Sequence, residues 1–392
     1  MPTFRHSRIP GLSGTFPPRG EAGAQEWQGR LTATQNLSDR ERQILEAVIR
    51  TYVETAEPAG SRLVAKRFEL GVSPATVRNA MSDLEEKGFL YHPHASAGRI
   101  PTDLAYRFYV DSLMRPVMLS AQERRRLRAG LREDADGSSP LDRLVRRALR
   151  VLGLITGELG LAMAPNLDDV LLEKIELVRI ASERILLVLT LKNGIVRTVY
   201  VDVSVDAPAA TLTSVTSVLN ERLAGLSLRD VRLSLPERLR DASADDAPAS
   251  ELINIFMQSA GELLNPAGEL MLGKASVLAN QPEFAQGAQL RSLLELTEQR
   301  ALLQSVLEAR AHESSATITI GSEHPVPQLN PFTLVTSEYR FGNLSGVLGV
   351  MGPTRMPYEK VAAIVQYTSL LMGELVDESS HPVRRERPGN VE

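Results

Sequence analysis

The run Ser73-Pro74-Ala75-Thr76-Val77-Arg78-Asn79-Ala80-Met81 places three side chains able to read DNA bases close together. An arginine pairs bidentately with guanine, an asparagine with adenine, and a threonine meets a thymine methyl or a phosphate. Val77, Met81 and Leu84 recur at i, i+4 and i+7, so a helix here buries them and turns Thr76, Arg78 and Asn79 to other faces. Ser73 is a good N-cap, and Pro74 suits the first helical position, where a missing N–H costs nothing. The N-terminus of such a helix also favours a phosphate. A second candidate is His94-Ala95-Ser96-Ala97-Gly98-Arg99-Ile100-Pro101, whose small residues permit close backbone approach. Its Arg99 has the chemistry to enter a minor groove or meet phosphates. An ordinary capped helix with a solvated face and a plain hairpin tip carry the same residue types, so the elements around them decide.

Those elements fall in a recognisable order. Ser38 caps a helix, with Glu41 completing a capping box, and Ile44, Leu45, Val48, Ile49, Tyr52 and Val53 form one apolar stripe. Pro58 and Gly60 break it, Ser61 to Phe68 make a second helix, and Leu70-Gly71 lie in a tight turn. The third helix ends at Gly88, Phe89-Leu90-Tyr91 starts a strand, and His92 to Thr102 form a loop. Helix, helix, turn, helix, strand and loop is the spacing of a helix-turn-helix with a β-wing.

With 392 residues the chain is too long for one core, and 43% hydrophobic with 23% charged residues is ordinary for a globular protein. It has no cysteine, which excludes disulfides, thiolate metal sites and cysteine nucleophiles and fits a reducing cytoplasm. No apolar run is long enough to span a membrane, and the first residues lack an apolar signal core. Residues 1–150 carry 24 Lys and Arg against 18 Asp and Glu, so the remaining 20 and 30 make the rear acidic. A basic front points weakly to an anionic partner, because most of the excess lies between Arg107 and Arg150, outside the proposed head. His92 and His94 have neither cysteine nor a carboxylate at ligand spacing, so no metal is expected.

Residues 1–37 read as a disordered extension and the tail 379–392 is polar. Residues 104–140 read as linker helices, and a helix is expected over Leu141–Leu161. Strands are expected at Leu172–Ile180, Arg184–Leu191 and Ile195–Val203, the last two joined by an Asn193-Gly194 hairpin, and again at Ala316–Ile320, Leu334–Tyr339 and Val347–Met351. Helices are expected at Leu212–Leu223, Leu252–Leu264, Leu290–Arg310 and Pro357–Val376. A sheet interrupted by helices implies one α/β domain with a helical insertion.

Several stretches together resemble one family. They are Tyr52-Val53-Glu54, Pro58-Ala59-Gly60-Ser61, the run from Ser73 to Met81, Leu84-Glu85-Glu86-Lys87-Gly88, Pro93 to Thr102, and Tyr106-Arg107-Phe108-Tyr109-Val110-Asp111, with a weaker match at Asn280-Gln281-Pro282-Glu283-Phe284 and from Ile320 onward. On these residues the chain is similar to the heat-inducible transcription repressors, the HrcA family. Ala59, Leu104-Ala105 and Lys274 depart from the family pattern without touching the base-reading positions. The resemblance implies an α+β multidomain protein: a winged helix-turn-helix head (38–103), a GAF-like α/β domain in two segments (141–224 and 313–378) and an inserted, mainly helical dimerisation domain (225–312). It implies recognition residues Ser73, Thr76, Arg78 and Asn79 and wing residues His94, Ser96, Gly98 and Arg99. It further implies a homodimer in the cytoplasm, at the nucleoid, that binds an inverted-repeat operator in double-stranded DNA, represses chaperone and chaperonin operons, and depends on the chaperonin to stay folded.

A ligand-sensing regulator, with a small molecule in the GAF-like domain, is the alternative, but no constellation of polar residues names a ligand or cofactor. An enzyme is not expected: nucleophile elbow, phosphate loop and paired metal-ligand spacing are all missing from the sequence. The stripe Leu290, Leu293, Leu294, Thr297, Leu303, Val306 and Leu307 suits a dimer interface or an internal core equally.

Overall fold

The structure is a computed structural model and describes residues 37–94, 97–132, 140–181, 183–192, 195–203, 208–242, 247–263, 268, 270–285, 287–310, 316–341 and 344–380. The expected Asn193-Gly194 hairpin tip, Ser96, the extension before Leu37 and the tail after Ser380 lie outside these residues.

In the head, the Ser38 hydroxyl accepts the Glu41 N–H and the Glu41 carboxylate accepts the Ser38 N–H, which starts helix α1 (Asp39–Thr55). Its stripe Ile44, Leu45, Val48 and Ile49 is buried. Helix α2 (Ser61–Arg67) follows, then a turn in which Glu69 and Gly71 take positive φ, and helix α3 (Pro74–Glu86). Gly88, at φ 78, reverses the chain into β1 (Leu90–Tyr91). β1 pairs antiparallel with β2 (Ile100–Pro101), Leu90 opposite Pro101 and Tyr91 opposite Ile100. Thr102 accepts the Ala105 N–H and starts α4 (Asp103–Phe108), which runs into a π-helical turn, Tyr109–Leu113.

The body is built on a five-stranded antiparallel sheet in the order β7-β3-β10-β9-β8. These strands are β3 (Leu159–Met163), β7 (Leu270–Leu272), β8 (Thr317–Ile320), β9 (Phe332–Phe341) and β10 (Leu344–Pro353). One face carries α5 (Ala121–Arg132), α6 (Pro140–Thr156) and the long α12 (Tyr358–Ser380), which bury Val145, Leu149, Leu152, Val361, Ile364 and Val365 among Ala162, Val335 and Leu348. The other face is covered by α10 (Gly287–Glu298) and α11 (Arg300–Glu308), whose Leu293, Leu296, Leu303 and Leu307 meet Leu159, Leu161, Phe332 and Met351. Of the stripe over 290–307, Leu293, Leu303, Val306 and Leu307 are therefore intradomain core, whereas Leu294 is exposed.

Between β3 and β7 the chain makes a separate unit. Strands β4 (Leu172–Ala181), β5 (Arg184–Leu191) and β6 (Val196–Asp202) form a three-stranded antiparallel meander, followed by α7 (Ala209–Leu223), α8 (Leu228–Leu239) and α9 (Ala247–Leu263). Asn220 of α7 pins the sheet, its amide donating to the Ile175 carbonyl at 2.7 Å and accepting the Ile175 N–H at 2.8 Å. Ile185, Leu187, Leu189 and Leu191 alternate into its core. The opposite face carries a cross-strand row, Val178 opposite Leu186 opposite Tyr200, with Val178 45% and Tyr200 59% exposed.

This pairing differs from the expected partition. The strands of 172–203, expected in the two-segment α/β domain, lie in the inserted unit, and the helices of 290–310, expected in the insertion, pack on the five-stranded sheet. The expected helix over 141–161 also stops at Thr156, where Gly157 takes φ 75, and the apolar run Leu159–Met163 becomes the buried strand β3. A short, fully apolar run has no period to separate helix from strand. Glu158, only 2% exposed at the start of β3, accepts from the Gln281 side-chain amide at 3.0 Å. A Cβ on Gly352 would overlap its carboxylate. Burial pushes this carboxyl up to about 8, against the Gln281 hydrogen bond and nearby Arg355 and with nearby Glu283.

Candidate nucleic-acid interface

Helix α3 presents the first candidate set. The Ser73 hydroxyl accepts the Thr76 N–H at 3.1 Å and lies 3.0 Å from the Thr76 hydroxyl, so these two residues form the cap. Val77, Ala80, Met81 and Leu84 are buried against the rest of the head. That fixes the roll of the helix, and Arg78 and Asn79 stand in solvent in its first two turns. Neither side chain has a partner among the described residues.

The hairpin is arranged differently. The Arg99 backbone exchanges two hydrogen bonds with Ala59 in the α1–α2 loop, at 2.8 and 3.0 Å. Its guanidinium, 18% exposed, pairs with Glu85 at the end of α3 at 2.8 Å. His92 shares the same carboxylate. A Cβ on Gly98 would overlap the Pro58 carbonyl and the Ala59 backbone, so only glycine allows the loop to lie this close. His94 is exposed at the hairpin, and Ser96 is outside the described residues. Of the eight expected residues, then, Arg78, Asn79 and His94 are exposed, Ser73 and Thr76 make the cap, and Gly98 and Arg99 lash the hairpin to the head.

Charge explains what composition could not. Residues 38–103 hold nine Lys and Arg against ten Asp and Glu, so the head has no basic excess. Four of its acids are used internally: Glu41 pairs with Lys87, Glu46 with Arg50, Glu54 with Arg67 and Glu85 with Arg99. Burial works against the Glu41 charge, but Lys87 and the Ser38 N–H hold its carboxyl below the ordinary range. Exposed Arg62 and Lys66 on α2, which packs on α3, and Arg78 form no ion pair among the described residues. The acids Asp83 and Glu86 stand at the far end of α3. Arg62 and Lys66 are not among the residues expected from the sequence, although their i, i+4 spacing around buried Val64 marks one outward face. The positive excess seen in the sequence lies instead on α5 and α6, where Arg124, Arg125, Arg126, Arg146 and Arg150 are exposed.

Arg78 and Asn79 are thus exposed polar side chains, without partners among the described residues, on the first turns of a helix whose opposite side is buried. Residues 142–362 match the family model described as HrcA protein C terminal domain. The heat-inducible transcription repressor HrcA of Chlorobium chlorochromatii is 37% identical over 341 residues, covering 84% of this chain and 95% of that protein. The protein of the same name from Geobacter sulfurreducens is 36% identical over 345 residues, covering 87% and 99%. The chain belongs to the HrcA family of heat-inducible transcription repressors. A solved structure described as a hypothetical protein at 2.2 Å resolution shares the fold, with a TM-score of 0.62, 22% identity, and coverage of 88% of this chain and 100% of that one.

Proposed function

We propose that this chain represses heat-shock operons as a homodimer that reads an inverted repeat, one half-site per winged-helix head. The observation that carries this reading is Arg78 with Asn79, free and exposed on α3 while the opposite side of that helix is locked in the core. α3 enters the major groove by its N-terminal turns, Ser73 and Thr76 face a phosphate there, and Arg62 and Lys66 of α2 meet the backbone alongside. The hairpin with His94, Ser96, Gly98 and Arg99 acts as the wing. The five-stranded unit serves as the GAF-like body.

The open row Val178, Leu186 and Tyr200 supports dimerisation through the three-stranded sheet of the inserted unit, because an apolar sheet face in water seeks a partner. Val178→Glu is expected to shift the sedimenting mass from dimer to monomer; an unchanged mass would move the interface elsewhere. Release on heat follows from loss of the folded pool when chaperonin is occupied by other clients, in the cytoplasm at the nucleoid.

The test is binding to a labelled duplex carrying the inverted repeat, against one with a scrambled half-site, over a salt series. Tight binding that is lost on scrambling and with Arg78→Ala supports sequence reading by α3. Equal binding to both duplexes would leave only a salt-dependent, non-specific affinity and overturn the proposal.

A further inference from the structure

The head is bolted to the body through side chains far apart in sequence. Arg107 of α4 is buried and donates to both oxygens of Glu323, at 2.6 Å each, and to the Ile318 carbonyl at 2.6 Å. The same Glu323 carboxylate accepts the Ile320 N–H at 2.8 Å, so it is fixed from both sides. Burial opposes the Arg107 charge, and the bonds from Glu323 outweigh it and raise the guanidinium above its ordinary value. Asp103, at the start of α4, accepts the Ser322 N–H at 2.8 Å. Tyr109 donates to Glu359 at the start of α12.

The second joint reaches the head directly. Arg355, between β10 and α12, donates to the Val53 carbonyl at 2.7 Å and to Glu283 at 3.0 Å. Val53 lies in the last turn of α1, where helix carbonyls have no partner within the helix. A residue 302 positions away thus caps the head's first helix. α1 packs on α3, so the cap ties the body to the helix against which α3 rests.

We propose that Arg355 with Glu283, and Arg107 with Glu323, are positioning residues that set which operator spacing the protein accepts. The proposal rests on the dimeric, inverted-repeat reading given above. A head on a slack linker tolerates changes in half-site spacing. A head clamped at two points does not, because one added base pair rotates a half-site by about 35° and moves it by about 3.4 Å.

The experiment uses the full chain and a series of duplexes with identical half-sites at the best spacing and at one base pair more and less, plus a duplex with one half-site scrambled. The wild type is expected to lose at least about tenfold in affinity at either wrong spacing. Arg355→Ala and Glu283→Ala are expected to keep the preference for intact over scrambled half-sites while the spacing ratio falls below about threefold. Arg355→Lys keeps the charge but cannot span both Val53 and Glu283, and it should resemble Arg355→Ala. Should one variant fail to fold, the other two carry the measurement, with dimer mass and melting temperature read for each. Variants that discriminate spacing as sharply as the wild type, or a wild type indifferent to spacing, overturn the proposal. A wild type that binds scrambled and intact duplexes equally overturns the sequence-reading function itself, a separate result.

Discussion

Arg78 and Arg99 lie in neighbouring parts of the head, yet the fold uses them in opposite ways. Arg78 stands in solvent with no partner among the described residues, whereas Arg99 is bonded to Glu85 by its side chain and to Ala59 by its backbone. Helix α3 leaves Arg78 and Asn79 without partners among the described residues, whereas the hairpin uses the polar groups of Arg99 to fix its own position. Of two residues of the same type, the one the folded chain has left unoccupied is the one whose side chain is free for a partner.

The largest expected effect is on Arg78→Ala. Each bidentate base contact discriminates by about 1–3 kcal/mol, and a dimer uses two, so preference for the intact operator over an unrelated duplex should fall by at least about thirtyfold in duplex titrations. Its melting temperature should stay put, since the side chain is exposed. Gly98→Ala comes next: the new methyl overlaps Pro58 and Ala59, and a loss of about 1–3 kcal/mol is expected in denaturant unfolding of the head. Arg99→Ala is the smallest, about 1 kcal/mol of stability for a mostly shielded ion pair, with base preference retained. An Arg99→Ala protein that keeps its stability but loses its base preference would break the contrast between the two arginines.

The head was legible in the sequence because its signals are local. Ser38 with Glu41, Ser73 with Pro74, and Gly88 each act within three or four residues, and α1 starts after Ser38, α3 starts after Ser73 and α3 ends just before Gly88. The body was less so. The identity of most strands could be read, but not the sheet to which each belonged, because pairing β3 with β10 joins positions near 161 and 349 across an entire inserted unit. β3 and β7 were invisible as strands, one lost in a helical run and the other only three residues long. The Arg355–Val53 cap spans the chain almost end to end, and no spacing rule reaches that far. At the interface the residue types were visible, but whether Arg99 was engaged depended on Glu85 and Ala59 arriving beside it.

Glu158 makes folding of this protein an acid–base reaction. An exposed carboxyl in the unfolded chain titrates near 4.5, while the buried one is held up to about 8, so at neutral pH the chain takes up a proton as it folds. The folded state binds that proton more tightly, so the contribution is fully present below the lower value and drains away as pH rises toward the upper one. Calorimetry at pH 5.5 and pH 8 should find the body less stable at the higher pH, and Glu158→Gln should flatten the difference. A mild alkaline shift then loosens the same sheet that anchors Arg355, and acidity tightens it.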